Sequence, residues 1–124
     1  EKSHHKDQLD IKKGGIFPIM HGVRSLALEN KLTHTNTIER IKILNERGVF
    51  DKESAVELIE AYAFINGIRL HAELEKVKLG QQYDNYINPN EMSKLERDLL
   101  KDAFRIVNDF KKFITHHFKL NLVS

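Results

Sequence analysis

From Lys52 to Leu79 the apolar residues recur at three- and four-residue spacing without a break, and this predicts one long helix. Asp51 is placed to cap its start and Gly80 to end it. The expected inward stripe is Ala55, Ile59, Tyr62, Asn66, Leu70, Leu74 and Val77, flanked by Leu58, Ile65 and Ile68. A helix of this length needs other elements to cover its apolar side. No segment of the chain alternates with period two for long enough to supply a sheet strand. The partners must therefore be helices, and the long helix commits the chain to a bundle.

The remaining helices follow from periodicity and caps. Pro18 belongs in a first helical turn, where its missing N–H costs nothing, so the first helix begins near Ile16 or Phe17. Ile19, Met20, Val23, Leu26 and Ala27 carry it to about Asn30. Asn36-Thr37-Ile38-Glu39 is a capping arrangement before a short helix with Ile38, Ile41 and Leu44 inward and Gly48 as its left-handed stop. Residues 80–92 form a loop rich in Asn and Gln, and Ser93-Lys94-Leu95-Glu96 is a second capping box. The last helix carries Leu95, Leu99, Ala103, Ile106, Phe110 and Phe113 on one stripe, with Leu100, Phe104, Val107, Ile114 and Phe118 beside it. The expected fold is all-α: an antiparallel bundle of four main helices at about 17–30, 37–47, 52–79 and 93–118. Residues 1–15 are expected as a polar lead-in and residues 16–120 as one domain.

Composition narrows the function classes. The chain has no cysteine, which excludes disulfides and thiolate metal sites and points to a reducing, cytoplasmic setting. A net charge of +2, evenly spread, argues against a nucleic-acid surface, and no apolar run is long enough for a membrane. The opening Glu1-Lys2-Ser3-His4-His5-Lys6 reads like the middle of something, so the expectation is a C-terminal piece of a larger protein.

Four constellations are candidates for binding. Lys12-Lys13-Gly14-Gly15 opens onto a helix, where glycine backbone and a helix N-terminus can cradle an anion; a plain turn with solvated lysines fits the residues better. His21 and Arg24 are neighbours on one helix face and off its apolar stripe, fit either for a phosphate clamp or for a surface pair. Asn66, Gly67, Arg69 and His71 interrupt an apolar helix, as pocket residues or as groups that satisfy one another. Tyr83 to Asn90 is a polar loop with aromatics that either binds or merely connects.

Metal and catalytic signatures are missing. No HExxH is present, and His71 with Glu75 gives only two ligands. His117 is expected to be packed or to face the dipole of a helix end. A polymerase-beta-like nucleotidyltransferase needs a Gly-Ser turn followed by metal-binding acids, and no glycine here is followed by serine. An RNA-cleaving helical toxin would want an arginine four to six residues before a histidine, and no arginine has one. The chain is expected to do no chemistry alone.

The run from Asp10 to Ile19, continued by His21 to Leu28, together with Thr35 to Arg40 and Asp84 to Pro89, resembles the nucleotidyltransferase substrate-binding domain family (the DUF294 C-terminal family). In this family the domain stands at the C-terminus of bacterial proteins with CBS, cyclic-nucleotide-binding-like and nucleotidyltransferase domains. The resemblance covers roughly residues 9–118, in order. The Lys-x-Gly-Gly turn is also similar to a segment of the uridylyl- and adenylyltransferases of nitrogen signalling, although Phe17-Pro18 replaces the Arg-Asp found there. The resemblance implies a helical bundle beside a nucleotidyltransferase domain in cis, closing over nucleotide and acceptor. Lys12, Gly14, Gly15, His21 and Arg24 would then be binding residues, with Arg69 and Asn85 as further candidates. Nucleotide and magnesium would belong to the parent's catalytic domain, and no cofactor to this chain. The alternative is a dimerisation or interaction module that relays signals from upstream regulatory domains, with Phe104, Phe110, Phe113 and Phe118 at its interface.

Overall fold

A computed structural model describes residues 8–123, with side chains as far as Lys119. The first half of the expected lead-in, including His4 and His5, lies outside the described residues. Four helices make the bundle: α1 (Phe17–Glu29), α2 (Thr37–Glu46), α3 (Lys52–Lys78) and α4 (Lys94–Val123). The chain is all-α in class, and each of the four lies within a few residues of its expected place except at the end of α4, which runs on to Val123. One feature is additional. Leu9–Asp10 (β1) pairs antiparallel with Tyr86–Ile87 (β2), with Leu9 opposite Ile87 and Asp10 opposite Tyr86.

The caps act as their chemistry predicts. Asn36 accepts from Glu39 N–H at 3.0 Å and Asp51 from Ser54 N–H at 2.7 Å, each satisfying an orphan donor of the first turn. Ser93 and Glu96 exchange hydrogen bonds in both directions at 3.2 Å. The Ser54 bonds hold the Asp51 carboxyl below its usual range. Gly48 (φ +81°) and Gly80 (φ +70°) supply the left-handed residue that closes α2 and α3. Lys31 takes the same conformation after α1 (φ 59°), and the turn is held by Leu32 N–H donating to Ala27 O while Leu32 itself is buried.

Helical backbone starts earlier than Pro18 suggests. Lys12–Ile16 form a widened π-helical turn that runs straight into α1, with Phe17 N–H donating to Lys12 O. Ile11, just ahead of it, is fully buried. The core is then built from Ile11, Ile19, Val23 and Leu26, with Ile41 and Leu44 of α2, Leu58 and Ile65 of α3, and Leu100 and Val107 of α4.

Several residues expected on inward stripes face outward. Leu70, Leu74 and Val77 of α3 are 51%, 52% and 63% exposed, and Leu95 of α4 is 71% exposed. α3 is apolar on more than one side, and the cap and stop signals carry no information about which side meets the core; the side of Ala55, Leu58, Ala61 and Ile65 does. On α4 the side centred on Leu100, Ala103, Val107 and Phe110 is buried instead.

Candidate functional site

A polar cleft of about 490 Å³ opens where the start of the helical array meets the α3–α4 connection, lined by Lys12, Arg69, Glu73, Val77, Gln81, Gln82, Tyr83 and Asn85. This size falls within the range of small-molecule sites. Three separate stretches of sequence contribute. Lys12 comes from the π-helical turn, Arg69, Glu73 and Val77 from successive turns of α3, and the rest from the loop that follows. The β1–β2 pairing holds the first and last of these together. It is extended by Ile11 N–H donating to Asn85 O at 3.0 Å. Asn85 sits at φ 68°, a conformation asparagine tolerates better than most residues.

The electrostatics are mixed. Arg69 Nη1 lies 3.0 Å from Glu73 Oε1 one helical turn on, which orients the guanidinium and offsets part of its charge. Lys12 leaves the lining with one net positive charge. Tyr83 Oη is shielded from solvent and has no hydrogen-bond partner among the described residues. Burial pushes its hydroxyl up from 10.0 to about 12; Arg69 opposes this, while the nearby carboxylates of Glu73, Asp84 and Asp10 add to it. A shielded hydroxyl without a partner costs free energy in a folded protein, so this one stands out in a cleft that is otherwise polar.

Of the residues singled out from sequence, Lys12, Arg69 and Asn85 meet in this cleft. His21 and Arg24 do not line it: both are exposed on α1, and His21 stacks on Phe17 with centroids 5.3 Å apart. Lys12 Nζ stands 6.0 Å from the other partner of that stack, the Phe17 ring. Gly14 and Gly15 make close packing. A Cβ on Gly14 would stand 3.3 Å from the Phe104 ring, and one on Gly15 would stand 3.2 Å from Ile65. The anion cradle considered as a candidate at this helix start already holds an anion of the chain's own, because the Asp10 carboxylate accepts from Lys12 N–H at 3.1 Å and Lys13 N–H at 3.0 Å. Asn66 is satisfied within its helix, donating to Tyr62 O at 2.9 Å, and Gly67 faces open space. His117 meets Glu29, at the last turn of α1, at 2.7 Å.

Gln81, Gln82, Glu73 and Tyr83 were not distinguished as binding residues by sequence, although Tyr83 opens the aromatic-containing loop that was. Among the described residues no group of three or more His, Asp or Glu could hold a metal ion, and no helix is long and apolar enough to cross a membrane.

Fold and cleft together define a helical bundle with a polar recess where its first helical turn meets a loop. Residues 1–118 match the family model described as "Putative nucleotidyltransferase substrate binding domain", and the chain belongs to that family. Comparison with curated proteins and with solved structures gave no match.

Proposed function

We propose that the domain binds an anionic substrate of a nucleotidyltransferase, nucleotide or acceptor, in the cleft of Lys12, Arg69, Tyr83 and Asn85, and presents it to a catalytic domain in cis. The observation that carries this reading is the meeting of a lysine, an arginine and a shielded, unpartnered tyrosine hydroxyl in one recess. The two cations would hold a phosphate or carboxylate, and Asn85 and the glutamines would read polar groups around it. Tyr83 Oη would donate the hydrogen bond that the folded chain leaves unmade. Family membership supports the substrate-binding role; the clamp geometry and the partner in cis are this reading's own.

Calorimetric titration of the chain with nucleoside triphosphates and with inorganic phosphate tests it. Lys12→Ala and Arg69→Ala should each weaken binding about fivefold or more, while Arg24→Ala on the exposed face of α1 changes it by less than about twofold. Binding unchanged in both cleft variants would remove the cleft from the function.

A further inference from the structure

The outward side of α3 carries a second apolar stripe that the bundle does not use. Val56, Ala63, Leu70 and Val77 recur every seven residues, and Gly67 and Leu74 fall between them at the alternating three- and four-residue steps of a coiled-coil seam. All six are exposed, and Val56, Leu70, Leu74 and Val77 are 45%, 51%, 52% and 63% open to solvent. A Cβ on Gly67 would meet nothing within 4 Å. The core-facing side of the same helix is made by Ala55, Leu58, Ala61 and Ile65. The stripe is therefore surplus to the fold, and it is shaped for another helix.

We infer that a second copy of this chain covers it, α3 against α3 in antiparallel orientation about a two-fold axis. Two features favour this occupant. The first is size. When Leu70 is set against the partner's Gly67, Leu74 falls against the partner's Ala63, and two-fold symmetry repeats both contacts. Each leucine then fills the space left by a small residue, along a seam about 25 Å long from Glu60 to Val77. The second is charge. In the same register Glu57 lies beside the partner's Lys78, again twice, and Glu60 lies against the partner's Val77. A parallel pair would instead set Glu60 against the partner's Glu60 in the seam and leave Gly67 facing glycine, a repulsion and a void. Two of the α4 aromatics are less available for an interface, since Phe110 is buried against Phe50 and Phe104 packs on Gly14 and Gly15, while Phe113 is 38% exposed beside Phe50 and His117. Val77 belongs to both the seam and the rim of the cleft, but the inference does not rest on any ligand binding there.

Sedimentation of the intact chain between about 10 and about 200 µM should show a monomer–dimer equilibrium, and Leu74→Lys should raise its Kd about tenfold or more with the helical circular dichroism unchanged. Glu57→Lys should weaken the dimer, and adding Lys78→Glu to it should restore association; a parallel pair would not be rescued. Because the chain has no cysteine, Ala63→Cys mixed with Leu74→Cys should give the mixed disulfide in preference to either self-disulfide. A chain that stays monomeric throughout this range overturns the inference. So does a dimer indifferent to Leu74→Lys, or a Leu74→Cys self-disulfide formed in place of the mixed one.

Discussion

Gly22 lies so close to Phe110 that a methyl group on its Cα would stand 2.6 Å from the ring. Here α1 and α4 cross, and Ile114 is also within 3.0 Å of that position. The ring is buried and packed edge-on to Phe50 at 6.1 Å and stacked with Phe113 at 6.3 Å, so it can yield only towards the small cavity of about 130 Å³ that these three rings line. Gly22→Ala adds the helix propensity of alanine, about 1 kcal/mol, but forces two helices apart at a cost of about 1–3 kcal/mol. We expect a net loss of stability, read as a lower urea midpoint. Gly67→Ala, where nothing in the same chain lies within 4 Å, should raise the midpoint in the same assay at concentrations where the chain is monomeric.

Asp10 accepts from two successive backbone N–H groups at the start of the helical array. Asp10→Ala should therefore cost about 1 kcal/mol, and Asp10→Asn much less, since either side chain can cap. Equal losses in both variants, measured by urea unfolding near neutral pH, would show that the charge of Asp10 matters and its capping geometry does not.

Tyr83 gives the cleft a titration of its own. Its hydroxyl is raised from 10.0 to about 12 in the folded chain, so the fold favours the protonated form. Burial penalises the phenolate, so this group leaves stability independent of pH below pH 10 and lowers it as pH climbs from 10 towards 12. In an alkaline absorbance titration one of the chain's three tyrosines should ionise near 12, and Tyr83→Phe should abolish that step. The same variant removes a hydroxyl that has no partner among the described residues, so at neutral pH its stability should equal or exceed that of the parent. Its affinity for a cleft ligand should fall about threefold, the loss of one weak neutral hydrogen bond.

The features legible in the sequence are the local ones. Asn36, Asp51 and the Ser93–Glu96 pair announce helix starts because each cap is completed within three residues, and Gly48 and Gly80 announce ends for a similar reason. The side of α3 that meets the core was not legible, because Leu70, Leu74 and Val77 follow helical spacing as well as Leu58 and Ile65 do. Nor was the β1–β2 pairing, which is two residues long and too short to show alternation. For the cleft, Lys12, Arg69 and Asn85 were identifiable as unusual residue by residue, but their convergence depends on that pairing. The packing role of Gly14 and Gly15 depends on Phe104, a residue from the far end of the chain.

The pairing of Leu9 with Ile87 also bears on how the molecule assembles. It joins the segment before the first helical turn to the α3–α4 connection, so the entropic cost of closing this loop falls only once α1, α2 and α3 have folded back on one another. A ladder this short adds little stability of its own. The recess between Lys12 and Asn85 is thus expected to form late in folding, and in the native state to be among the first regions whose amide hydrogens exchange.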